Sequence, residues 1–403
     1  MQTTLSQPNI GQPAGKVGGA FKVNLSRGER VGRVSSEWFN RPADERYLSL
    51  SSLHEAVRGR ADRSQAWSVD TKKLQIHANM NDPERLRILD TSTGNEVKPT
   101  HWSFGQLATQ VGAPASYLRK IPAPLAAMNL QYGLNTYRPE IMKILATEEG
   151  SALEMRALTG ADYGRIWDYE LVEAVMKFAG NGTGDTDWKI PGCLDWATMR
   201  YNPYVDVTTE STTLYASDRD VFLFLVDDTH PIEAGRLPNG DPDLYFRGFY
   251  AWNSEVGSRS NGVAAFYLRG VCMNRNLWGV ENFKELTIRH SKHAANRFAY
   301  EAAPALARFA TSSAQPFVNT ISQAKSRVIA KDDDGTQDWL RKRNFTKSDT
   351  ADIMATVFAE EGHPARSVFD VVQGITAVAR KKTSQDERID LEKRAGKLLE
   401  AVN

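Results

Sequence analysis

The chain has 403 residues, 41% of them hydrophobic, and its 50 basic and 49 acidic side chains leave a net charge of +1. This length allows two or three domains around ordinary cores, and the balance excludes wholesale disorder and a uniformly basic coat for nucleic acid, so any polyanion contact must come from a concentrated patch. Two cysteines, Cys193 and Cys272, are too few for a disulfide framework or a thiolate zinc site. No stretch has the apolar length of a membrane span or signal-peptide core, so a soluble, cytoplasmic protein without membrane partners is expected.

In chain order, residues 1–20 are rich in Gly, Pro, Gln and Ser and read as a flexible leader. Residues 21–150 read as an α+β region, with helical spacing over Ser51–Arg58 and Ser103–Ile121 and short strands at Leu74–His77 and Leu86–Leu89. Residues 151–330 form the expected core domain. It opens on a strand, Leu153–Leu158, and the turn-rich TGADYGR; a helix follows, with Asp168 as N-cap and Gly180 as its stop. Strands are predicted at Leu214–Ser217, Val221–Val226, Tyr245–Asn253 and Val263–Met273, the last two forming a long hairpin. A basic helix over Val280–Ala303 is predicted to kink or end at Pro304. The charge-blocked segment 331–345 reads as a linker. Residues 346–403 read as helices over Thr346–Glu361, Ser367–Arg380 and Asp386–Val402, the last with a stripe of Leu391, Ala395, Leu398 and Val402 that must pack on this chain or on another copy. The fold class expected is α+β: a curved, mainly antiparallel sheet with a long hairpin and a packed basic helix, flanked by the N-terminal region and C-terminal helices.

Leu244–Arg297 departs from the neutral average. Its bases are Arg247, Arg259, Arg269, Arg275, Lys284, Arg289, Lys292 and Arg297, against only Glu255, Glu281 and Glu285. Placed on a helix, Ala294, Ala295, Phe298 and Ala302 gather on one side and Arg289, His293, Asn296, Arg297 and Tyr300 on the other. Strand alternation puts Arg247 beside Phe249, and Tyr267 beside Arg269. Cations for phosphate and aromatics for bases are what a single strand of nucleic acid requires. Arg247, Arg269, Arg275, Arg289, Lys292 and Arg297 are therefore the candidate phosphate ligands, with His293 facing phosphate. Trp252, Tyr267 and Tyr300 are the candidate stacking platforms. Arg259 lies on the hairpin tip, EVGSRSNG, which reads as a flexible finger for nucleic acid or a neighbouring subunit.

Other patterns are weaker. Ser103–Leu118 has a helix-turn-helix spacing, but Ala113, Ala115 and Ser116 are poor base readers, which favours packing. His290 and His293 stand at metal spacing without a third ligand nearby in sequence. Asp218, Asp220, Asp227, Asp228 and His230 bracket a strand and form the candidate set for a Mg²⁺-dependent nucleic-acid enzyme, the alternative reading; a protein that docks on a host defence factor is another. GQPAGK at Gly11 lacks the spacing of a phosphate loop. No cofactor is expected.

FGQLATQVGAPASYLRKIPAPL, RALTGADYGRIWDYELVEAV, LYASDRDVFLFLVDD, RGFYAWNSEVGSRSNGVAAFYLRGVCMNRNLW and RHSKHA, in this order, resemble the phage and plasmid family known as the domain of unknown function number 932, over roughly Val34 to Leu399. That resemblance implies a mobile element in a bacterial cell and supplies no activity. The predicted core is also similar to that of single-strand annealing recombination proteins, which implies an oligomer that binds single-stranded DNA. The choice between DNA and RNA stays open.

Overall fold

The computed structural model describes residues 20–22, 42–79, 81, 85–136, 140–190, 193–195, 200–202, 209, 212–236, 240, 242–269, 277–279, 286–381, 391, 394–395, 397–398 and 401. They form an α+β fold with two large sheets, each backed by helices. The short strands β1 (Ala20–Lys22) and β2 (Arg46–Tyr47) join sheets built farther along the chain. In α1 (Leu50–Asp62) the Ser49 side chain caps the start by accepting the Ser52 N–H, and Leu50, Leu53, Val57 and Ala61 share the buried face.

The first sheet comprises β3 (Ser64–Asp70), β4 (Leu74–Ala78), β5 (Leu86–Asp90), β6 (Glu96–Pro99), β7 (Ile141–Glu149) and β8 (Ala152–Gly160), in the order β3-β7-β8-β6-β5-β4. Its pairs are antiparallel except β6 with β8. Between β6 and β7 lie α2 (His101–Gln110), the short α3 (Ala115–Leu118) and α4 (Ala123–Thr136). Leu107, Ala108, Leu118, Ala126, Leu130 and Leu134 pack from this layer against the sheet's Leu74, Ile76, Ile88, Val97 and Ile144. The expected Ser103–Ile121 helix is thus two helices separated at Gly112, whose φ of 66° breaks the helical path. The β7–β8 hairpin turns at Gly150, so this sheet takes in residues on both sides of 150/151.

Helix α5 (Asp168–Ala179) stops at Gly180, φ 58°, where the sequence placed its end. Asp168 is its first helical residue and not its N-cap, which is Trp167. The second sheet follows: β9 (Trp188–Lys189), β12 (Leu214–Ala216), β13 (Val221–Arg236), β14 (Pro242–Asn253), β15 (Asn261–Arg269), β16 (Leu277–Gly279) and β17 (Leu286–Ile288), while β10 (Cys193–Asp195) and β11 (Arg200–Asn202) pair with β1 in a small third sheet. The second sheet is antiparallel in the order β16-β15-β14-β13-β12-β2, with β17 also on β15 and β9 on β13. Helices α6 (Ala294–Arg297), α7 (Ala303–Thr311), α8 (Gln315–Ser326), α9 (Asp333–Arg341), α10 (Lys347–Glu361) and α11 (Val368–Lys381) complete the described chain. Phe309, Phe317, Leu340, Ile353 and Val371 carry the second core from the sheet through these helices.

The segment expected as a linker holds α9, capped by Asp332 and anchored by Thr336 and Leu340. Polarity of its outward face hid two inward residues. Leu391 and Ala395 are buried in the second core and Leu398 packs against it, so this chain covers that much of the C-terminal stripe; Val402 lies outside the described residues, as does the leader apart from Ala20. Among the described residues no helix is long and apolar enough to cross a membrane.

Candidate nucleic-acid interface

Leu286–Ile288 pairs with β15, so the chain leaves the sheet only at Arg289. The helix predicted over Val280–Ala303 is therefore strand at 286–288 and begins at Ala294. Sheet pairing overrides helix periodicity because the triplet Leu-Thr-Ile, two of its residues β-branched, can complete β15's ladder. From Ala294 onward, two of the four residues predicted for the inner face are described, and both are buried. Ala294 and Phe298 are buried in the second core; Arg289, Lys292, His293, Asn296, Arg297 and Tyr300 are exposed, Tyr300 to 82%.

Pro304 does not end this helix. Helical turns run unbroken from Ala294 to Thr311, and the π-helical turn at Phe298–Ala302 immediately before Pro304 is where the backbone changes register to accommodate its missing N–H. Arg297 donates to both carboxylate oxygens of Glu301, each at 2.9 Å. That bonding raises the Arg297 pKa and lowers that of Glu301, so this cation already has a carboxylate to displace before it meets phosphate. Among the described residues no acid pairs with Arg289 or Lys292.

The hairpin contributes less to the surface than expected. Arg247 lies opposite Tyr267 and Tyr245 opposite Arg269, and this face of the strands is the core face. Tyr267 is buried and stacks on Phe317 with centroids 3.8 Å apart. Trp252 is buried on the other face, lying so closely over Gly262 that a Cβ there would come within 2.1 Å of its ring. Neither is a base platform. A ring that buries 150–250 Å² gains roughly 4–6 kcal/mol at about 25 cal/mol per Å², more than one stacked base returns. Arg247 is half-buried and donates to the Ser312 carbonyl at 2.5 Å. Of Arg269 only the strand position is described, and Arg275 lies outside the described residues.

The expected finger is a plug. Asn253, Ser254, Glu255, Val256 and Asn261 are all buried, and Val256 packs with Leu145 and Ala157 of the first sheet between Trp102 and Trp167. Trp102 Nε1 and Gln106 Nε2 both donate to the Val256 carbonyl, at 3.1 and 3.0 Å. Arg156 of β8 meets the Glu255 carboxylate at 2.5 Å, both side chains buried. Arg259 points back to Asp220 at 2.7 Å and is not presented as a clamp.

One connector holds both the plug and the exposed strip. The Tyr163 hydroxyl donates to the Ser254 carbonyl at 2.9 Å, and the Arg165 guanidinium to the Glu255 carbonyl. Gly164 lies against the strip's backbone, where a Cβ would come within 1.9 Å of the Ser291 oxygen; its carbonyl meets His290 Nδ1 at 3.0 Å, and the His290 ring stacks on Tyr163. Burial pushes the Tyr163 pKa up and the His290 pKa down. Asp168, wholly buried, accepts from Asn253 Nδ2 at 2.8 Å, while its own backbone N–H donates to Glu255 Oε2 at 3.2 Å. Burial first, and then the nearby Glu255 charge, hold the Asp168 pKa well above the carboxylate range, against the helix N-terminus that favours its ionised form. His290 is thereby a buried anchor and not half of a metal pair. None of Arg156, Tyr163, Gly164 and Arg165 stands out in the sequence as a site residue. The one available signal was TGADYGR, where two glycines flank an aromatic with an arginine following.

The carboxylates around β13 are engaged locally. Asp220 accepts from the Ser217 hydroxyl as well as facing Arg259. Asp227 accepts from the N–H groups of Thr229 and His230, both at 3.1 Å, where β13 bulges out of register with β14. Among the described residues no three His, Cys, Asp or Glu side chains gather as a metal set. Compared with known proteins, the chain matches no family model, no curated protein and no solved structure.

Proposed function

We propose that this chain is a nucleic-acid-binding protein of a phage or plasmid, binding single-stranded DNA through the strip Arg289–Tyr300 and acting as an oligomer in annealing. One observation carries the reading: Arg289, Lys292, His293 and Tyr300 stand exposed together on a segment that Ala294 and Phe298 pin to the core. Cations and an aromatic ring carried on an anchored backbone reduce the ordering cost of gripping a flexible polyanion. Arg297 contributes after exchanging Glu301 for phosphate; Arg259, Trp252 and Tyr267 serve the fold.

The test is fluorescence anisotropy of labelled single strands against duplex across a salt series. Replacing Arg289 and Lys292 with Ala is expected to weaken single-strand binding and to lower the salt slope by about 1.4, at roughly 0.7 for each lost phosphate contact. An unchanged slope in a folded variant removes the strip from the interface.

A further inference from the structure

Helix α4 is apolar on two sides. Ala126, Ala127, Leu130 and Leu134 face the first core, while Leu125, Met128 and Tyr132 lie 49%, 68% and 71% exposed. At 100° per residue those three fall within about 60° of one another and span roughly 10 Å along the axis, so they make one stripe. Tyr117 of α3, 57% exposed, stands a few residues before the start of α4, with exposed Arg119 and Lys120 between the two helices. Arg119 is held in place, donating to the His101 carbonyl at 2.7 Å with its guanidinium over the Phe104 ring. A further cation, Lys72, donates to the Asn135 carbonyl at the helix's far end.

The helices of this layer carry cations and no acid of their own. From His101 to Thr136 the sequence contains no Asp or Glu. The acids bonded near this layer, Asp70 and Glu140, accept from the Lys72 N–H and from Gln110. Two exposed phenol rings, an exposed thioether and two neighbouring cations, without a carboxylate of their own, match a polyanion that carries flat apolar faces.

We propose that the α3–α4 surface is a second binding site for single-stranded nucleic acid, with Tyr117 and Tyr132 as base platforms and Arg119 and Lys120 on phosphates. It rests on the single-strand reading above but uses none of the strip's residues. A protein partner for an apolar stripe of this size has no need of helices free of Asp and Glu from His101 to Thr136, whereas a phosphate backbone is repelled by every carboxylate.

The experiment measures binding of an oligothymidylate by four forms of the full chain: native, Tyr117→Ala with Tyr132→Ala, Lys120→Glu, and Arg289→Ala with Lys292→Ala. Light scattering gives the mass of each, and Lys120→Glu serves as a variant that leaves the stripe's packing intact. The tyrosine pair is expected to weaken binding about tenfold or more, and K120E to weaken it with a changed salt slope. Unaltered binding by both overturns the proposal, and a fall in mass of the tyrosine variant would then assign the stripe to self-association. Loss confined to the Arg289/Lys292 variant leaves the strip as the interface and rejects this site; loss confined to the Tyr117/Tyr132 and Lys120 variants does the reverse. Absence of binding by the native chain at low salt rejects both.

Discussion

Asp168 and His290 draw opposite pH limits around the same few ångströms of structure. With its folded pKa raised, Asp168 holds a proton in the folded chain that the unfolded chain has released, so its contribution is greatest on the acid side and declines as pH rises above the ordinary carboxylate value. His290 is buried with its pKa lowered, so its contribution is present above about pH 6.5, the unfolded value, and is lost as pH falls through it. Urea denaturation at a series of pH values is expected to give a maximum between the two limbs. Asp168→Asn should flatten the alkaline limb, because Asn keeps the oxygen that accepts from Asn253 without the charge facing Glu255. His290→Phe should flatten the acid limb while retaining the stack on Tyr163. A profile unchanged by either substitution would place the titrating groups elsewhere.

Among the elements, the hairpin and the strip differ most from their reading in sequence, and the reasons differ. The hairpin strands were legible by alternation, but alternation cannot say which face meets the core. Arg247 and Tyr267 share a face with Phe249 and Tyr245, and the rings decided it. The tip's Gly, Ser and Asn read as exposed; its burial depends on Arg156, Gln106 and Tyr163, all distant in sequence. Helix α4 escaped notice because apolar residues occur on both its faces, which erases the helical period that revealed α1. The Gly164 contact gives an element-scale prediction. Gly164→Ala must displace the Ser291 carbonyl, and overpacking of this kind costs about 1–3 kcal/mol. On the proposed reading it is expected to weaken single-strand binding by moving the strip. Urea midpoints and anisotropy on one sample separate the two effects.

Over the whole molecule, the two sheets have separate cores, Ile144 and Leu130 centring one and Phe249 and Val372 the other, and the Glu255 plug ties them together. The α+β class was legible because each sheet advertises its strands locally; the tie was not, since it joins residues about a hundred positions apart. Glu255→Gln removes the charge facing buried Arg156, and an uncompensated buried cation costs roughly 3–5 kcal/mol. Calorimetry is expected to show a lower transition temperature and, if the sheets then unfold independently, two transitions in place of one.

The connector at 163–165 also sets where inheritance of the binding trait should lie. Because Tyr163, Gly164 and Arg165 grip Ser254, Glu255, His290 and Ser291 at once, a defect in how the strip is seated has a small, defined neighbourhood in which to be repaired. In a genetic selection for the proposed binding, second-site suppressors of a mis-seated strip should map to the connector and the hairpin tip and not to the cations themselves.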